Sequence, residues 1–273
     1  MKKLNVLLTA VALGLASFAS AQITLNVGLG YHGGAFSNNV GTTTAISDQG
    51  VTTMTANNYS LGGGIPLNLG VGIGITDNIS VDANLEYRLG SEVEIFNEDE
   101  TGLLGKTNTT RMSTSNQIRF VPSLVFHNEG SGLYGRVGAV IPVGGKTTTE
   151  VKSTSGSTEL GSATIESKGA ASFGMVGAVG MNVEISDGLT FFGEFQVVSL
   201  AIKGTSQEMT AYSDALGNSL SDLPVSSKQT EFLDEVVNDG STQDPTKPTQ
   251  AVAGKTSFGS MGINVGIKLN IGG

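Results

Sequence analysis

Several short patterns in this sequence have the residue types and spacing of a working site, and each can be weighed against what its chemistry requires. Gly28-x-Gly30-x-x-Gly33 and Gly130-x-Gly132-x-x-Gly135 match the dinucleotide fingerprint. Those glycines serve only where a strand turns into a helix whose N-terminus meets a pyrophosphate. Neither match precedes a helical pattern, and both follow from a composition with 39 glycines. Gly-Lys-Thr begins at Gly105, Gly145 and Gly254, yet a phosphate loop also needs glycine five residues earlier, where Glu100, Val140 and Thr249 stand. The histidines are His32 and His127, at opposite ends of their strands, and cysteine is absent. A zinc cluster or a thiol nucleophile therefore has no ligands to draw on. No serine sits in a nucleophile elbow, so no enzyme activity and no cofactor are expected. The acidic run Glu98-Asp99-Glu100 and the spaced Asp239, Ser241, Gln243 and Asp244 have oxygen ligands for a weak cation site, but they read as solvated loop.

A second set of ionisable residues is more informative because of its phase. Asp82, Glu86, Arg88, Arg119, Arg136, Glu184, Glu194 and Lys268 all fall on the polar side of segments that alternate polar and apolar residues. Four acids face four bases, so the set balances if all of it lies inside one enclosure. Charges inside a narrow barrel must pair, because an unmatched one costs on the order of several kcal/mol. Counting along the segments puts Glu86 and Arg119 at similar heights on neighbouring strands, with Glu194 and Lys268 as a further pair. The expected role is a structural plug, with a gate or narrow ion path as the alternative.

The elements that must hold these residues are strands. From Ile79 the odd positions read Ile79, Val81, Ala83, Leu85, Tyr87 and Leu89, against Ser80, Asp82, Asn84, Glu86, Arg88 and Gly90. Strict alternation of this kind is the mark of a strand with two different faces. Segments near 22–32, 59–76, 79–90, 116–127, 132–143, 170–186, 189–203 and 257–271 behave alike. Short turns at Thr76-Asp77-Asn78, His127 to Ser131 and Ser186-Asp187-Gly188 alternate with long polar links at about 33–58, 91–115, 144–169 and 204–256. Within the links, Thr147–Thr154 and Ser162–Lys168 flank Ser155-Gly156-Ser157 as a hairpin, and Ser91–Ile95 has the same character. The link 204–256 reads as mobile, with one short helix around Glu231–Val237. Pro66, Pro122 and Pro142 fall within strands, where a missing N–H implies a local bulge.

A soluble β-sandwich also alternates, but its outward face is charged. Here the polar face is rich in Gly, Ser and Asn, which suits the crowded interior of a narrow barrel. The apolar face would then meet lipid. Tyr31, Tyr59, Tyr87, Phe120 and Phe173 lie on it near the long-link ends, as an interfacial aromatic girdle would, with Phe126 and Phe191 at the opposite rim. The start of the chain agrees. Lys2 and Lys3, an apolar run from Leu4 to Ala16 and Ala19-Ser20-Ala21 read as a secretory signal peptide over residues 1–21, leaving 22–273 as one barrel domain. Cleavage there removes two lysines and takes the formal charge from −9 to −11. So acidic a chain is a poor partner for nucleic acid.

These residues resemble the small bacterial outer-membrane barrels, the OmpX-like and OmpA-type families. The resemblance implies an all-β, eight-stranded antiparallel transmembrane barrel in a Gram-negative outer membrane, with short periplasmic turns and long extracellular loops. It implies outer-membrane lipid and the barrel-assembly machinery as partners. Such barrels usually end in an aromatic residue, whereas this chain ends Leu269-Asn270-Ile271-Gly272-Gly273. The expected function is structural or surface interaction through the loops, with a partner outside the cell. A narrow, porin-like passage for small or hydrophobic molecules is the first alternative, and a soluble secreted β-rich binding protein the second.

Overall fold

Tight turns set the register from which the rest of the sheet follows. Asp187-Gly188 joins two strands through a two-residue turn, with Gly188 at φ 77°, where the missing Cβ is required. Asp77-Asn78 does the same between Thr76 and Ile79. The computed structural model describes residues 22–37, 39–46, 51–102, 105–128, 130–237 and 243–271. Residues 1–21, read from the sequence as a signal peptide, lie outside them.

Among the described residues sixteen strands follow in chain order: β1 (Ile23–Gly34), β2 (Asn39–Ile46), β3 (Thr52–Tyr59), β4 (Gly64–Thr76), β5 (Ile79–Gly90), β6 (Val93–Gly102), β7 (Gly105–His127), β8 (Leu133–Ser155), β9 (Thr158–Gly169), β10 (Gly174–Ser186), β11 (Leu189–Ser199), β12 (Ala201–Asp214), β13 (Gln229–Leu233), β14 (Thr249–Val252), β15 (Lys255–Ser257) and β16 (Ser260–Ile271). Eight of them close on themselves in the order β1-β4-β5-β7-β8-β10-β11-β16, every neighbouring pair antiparallel. This is the eight-stranded barrel the alternation implies. All eight expected segments supply a wall strand.

The connections at the other end depart from expectation. Much of the long links is strand. β7 and β8, each 23 residues, run on past the barrel still paired, from Gln117↔Gly145 to Asn108↔Thr154. On this shared ladder a second sheet is built, in the order β14-β13-β12-β9-β8-β7-β6-β2-β3. The β8–β9 hairpin forms as expected, turning at Gly156. The link 204–256 holds β12 to β15 and a short helix α1 (Val225–Lys228). The helix expected around Glu231–Val237 is instead β13, whose Thr230 to Leu233 pair with Thr249 to Val252. Propensity is a weak guide where a neighbouring strand offers a ladder.

The three strand prolines find different solutions. Pro122 keeps its place opposite Ala83 in the β5–β7 ladder, while the β7–β8 ladder is interrupted at residues 121 and 122. The ring therefore faces its missing donor toward β8, and no bulge is needed. Pro66 does likewise, opposite Arg88 in β5 and beside a break toward β1. Pro142 sits at a true irregularity, where the β7–β8 register shifts between Ile118 and Arg119.

The faces of the barrel are inverted relative to a water-soluble one. Outward side chains are apolar and exposed, among them Leu29, Leu69, Leu85, Phe126, Val179 and Ile263, all between 48% and 65% accessible. Inward ones are polar and buried, including Asn26, Asn84, Glu86, Arg88, Arg119 and Asn264. A separate apolar cluster of Leu61, Val121, Val140, Val176, Val198, Leu200, Ile202 and Phe258 fills the interior toward the extension.

Candidate functional site: the charged interior of the barrel

The register brings most of the expected residues together. Glu86 on β5 is directly across from Arg119 on β7. Its Oε1 accepts from Arg119 Nη1 at 3.2 Å and from Arg88 Nε at 2.9 Å. Both guanidiniums are fully buried, so one carboxylate serves two cations in a place without bulk water. Arg119 Nε donates to Gln117 Oε1 at 2.7 Å. Arg88 Nη1 donates to Ser260 Oγ at 3.1 Å and to the carbonyl of Gly62.

Hydrogen-bond logic then fixes the next member. Arg88 Nη2 lies 3.2 Å from His32 Nδ1, and a guanidinium can only donate. Nδ1 therefore accepts, which leaves Nε2 carrying the proton that Asn264 Oδ1 receives at 3.0 Å. Asn264 Nδ2 donates in turn to Glu194 Oε1 at 3.0 Å and Gln196 Oε1 at 2.5 Å. Arg136 holds Glu194 by two bonds, Nη2 to Oε1 at 2.5 Å and Nε to Oε2 at 3.3 Å, and Tyr134 Oη donates to Oε2 at 3.0 Å. A continuous polar chain thus crosses the lumen from β7 through β5, β1, β16 and β11 to β8.

Small residues on β10 make the last link possible. Gly180 lies between Tyr134 and Glu194 in the register. A Cβ there would stand 2.5 Å from Tyr134 Cζ, so the phenol reaches Glu194 only across a glycine.

Three of the sequence expectations need correction. Glu184 has the inward phase but stands exposed near the turn end of β10, beyond the interior, because parity gives a face and says nothing of height. Lys268 does not pair with Glu194, since the residue across from Glu194 is Asn264, four positions away. Its ammonium lies instead over the rings of Tyr134 and Phe192, 4.5 and 5.3 Å from their centroids. Asp82 shares the cavity at the short-turn end with Lys268 and His127. Among the outward aromatics, Tyr31, Tyr87, Phe120 and Phe173 are exposed on the barrel surface, as are Phe126 and Phe191. Tyr59 is not. It packs against the interior apolar cluster, because the turn at residues 60–63 separates it from β4 and resets the phase.

Counting from the sequence found the charges and missed the neutral partners. His32, Gln117, Tyr134, Gln196 and Asn264 were all readable from the same parity. Charge alone does not point to amides or a phenol, and the position of His32 in the sequence marks only a strand end.

No protein-family model matches the chain, and no curated protein matches it. Among solved structures it is similar to a major outer membrane protein from Thermus thermophilus, at 12% identity over 92% of this chain and all of that one, with a TM-score of 0.46. Among the described residues no group of His, Cys, Asp or Glu is arranged to hold a metal, and no helix is long and apolar enough to cross a membrane, which says nothing of strands. Glu98, Asp99 and Glu100 lie on β6, where Asn108 Nδ2 donates to Asp99 Oδ1 at 2.8 Å; Asp239 and Ser241 fall outside the described residues.

Proposed function

We propose that this chain is an outer-membrane barrel whose polar plug seals the lumen and whose sheet extension presents a surface outside the cell. One observation carries the reading: apolar residues cover the outside of the barrel and charged ones fill the inside. In water that arrangement would expose a wide apolar surface, far beyond what soluble monomers carry. In a bilayer it is the expected one.

Dimensions agree. The 12 residues of β5 rise about 40 Å along the strand. A tilt of about 40° leaves roughly 30 Å of height, enough for an apolar band of about 25 Å. Under this reading the short turns are periplasmic, the extension is extracellular, and lipid and the barrel-assembly machinery are the partners. The reading likens it to the OmpX-like and OmpA-type barrels, with a structural or surface-interaction role and no catalysis, and the strand count and inverted faces support that likeness.

Cell fractionation with a heat-shift gel tests it. The expected result is recovery with outer membranes and a change of mobility on boiling. Recovery in the soluble fraction with unchanged mobility would overturn the proposal.

A further inference from the structure

A cavity of about 400 Å³ lies where the barrel meets the extension, at the small end of the ~300–1,000 Å³ that small-molecule sites span. Three features of its lining point to one kind of occupant. Its apolar part, with Leu61, Ile202 and Phe258, belongs to the interior cluster and offers a dry surface. Another part is hydroxyl-bearing, with Ser113, Ser115 and Thr149, of which Ser113 and Thr149 bond to each other at 2.7 Å. Among the described residues no acid lines it, whereas Lys146 and Lys168 do. Lys146 is paired with Glu166 at 2.5 Å; Lys168 has no ion-pair partner among the described residues.

Gln117 connects this cavity to the charged interior. Its Oε1 accepts from Arg119 Nε, so the amide is held with its oxygen toward the guanidinium. What remains is Nε2, a donor, in a residue that lines the cavity. Beneath it, Arg88 and Arg119 share the single carboxylate of Glu86, and Arg119 Nη2 has no hydrogen-bond partner among the described residues. Around Glu194 and Arg136, with Asp82 and Lys268, charges balance. The uncompensated positive charge of the interior is therefore confined to the side facing this cavity, where low dielectric makes a counter-anion most valuable.

We propose that the cavity binds a small amphiphilic carboxylate, its charged end over Gln117 and its apolar body against Leu61, Ile202 and Phe258. The proposal goes beyond the membrane reading and does not depend on it, because the site is defined by the barrel and its extension alone.

The test is calorimetric titration of the full chain, in detergent below the level that competes for ligand, with benzoate, benzyl alcohol and benzylamine. Benzoate is expected to bind saturably and at least about ten-fold more tightly than the other two. Gln117→Glu places a carboxylate of nearly the same shape above Arg119. It is expected to raise thermal stability and to weaken benzoate at least about ten-fold. Lys168→Glu, a change at the rim that leaves the buried cluster intact, is expected to weaken benzoate several-fold. Equal binding of the acid and the alcohol, absence of saturable binding by benzoate, or unchanged benzoate affinity in both variants would each overturn the proposal. Fractionation reads the membrane assignment separately, so the two can fail independently.

Discussion

Glu86 is the only carboxylate within ion-pair distance of Arg88 and Arg119 among the described residues, at 2.9 and 3.2 Å. Removing one partner of a buried ion set leaves the other charge without compensation, typically at a cost of about 3–5 kcal/mol. Glu86→Gln is expected to lose stability on that scale in reversible urea unfolding. The exposed pair Lys152–Glu150, 3.9 Å apart, supplies the contrast: Glu150→Gln should cost less than about 0.5 kcal/mol. A second residue-scale prediction separates lipid from water on the outer face. Leu69 is 59% exposed, and in a bilayer Leu69→Arg should cost about 2–4 kcal/mol in folding measured from lipid vesicles. Were that surface in water, the same change would fall within about ±0.5 kcal/mol. At this scale the sequence was legible wherever phase alone decided. Glu86 opposite Arg119 follows from counting heights up from the short-turn ends, because the β5–β7 ladder keeps one register throughout. Lys268 was misassigned because pairing across β11 and β16 depends on a register that parity cannot supply.

Elements were read with similar success and for the same reason. The eight wall strands have one apolar and one polar face and announce themselves, whereas β2, β3 and β12 carry many Thr, Ser or Asn residues and β6 is acidic, all with little contrast between faces. Such stretches are held as strands by the ladder next to them, a long-range influence that local composition does not encode. The wall also shows where small residues are obligatory. A Cβ on Gly262 of β16 would stand 2.1 Å from the backbone oxygen of Tyr31 on β1, while one on outward-facing Gly177 of β10 would meet nothing within 4 Å. Gly262→Ala should therefore destabilise by about 1–3 kcal/mol through overpacking. Gly177→Ala should be neutral within about 0.5 kcal/mol. Comparable denaturation midpoints for the two variants would contradict this division of the glycines.

For the molecule as a whole, the polar chain from Gln117 to Tyr134 stands between the cavity at the extension end and the one at the short-turn end. The unmodified protein in a planar bilayer is expected to be electrically silent. Discrete openings, altered when Glu86 or Arg119 is neutralised, would show that the chain of side chains gates a path instead of closing it. The 23-residue β7 and β8 have a consequence of another kind. Their ladder continues from the barrel wall into the exposed sheet across a single register shift between Ile118 and Arg119, so a pull on the extension along the strands loads many hydrogen bonds side by side, in shear. A joint made through flexible loops would instead peel one bond at a time. The extension is thus built as a stiff handle on its anchor, able to carry mechanical load into the wall and not merely to tether what it holds.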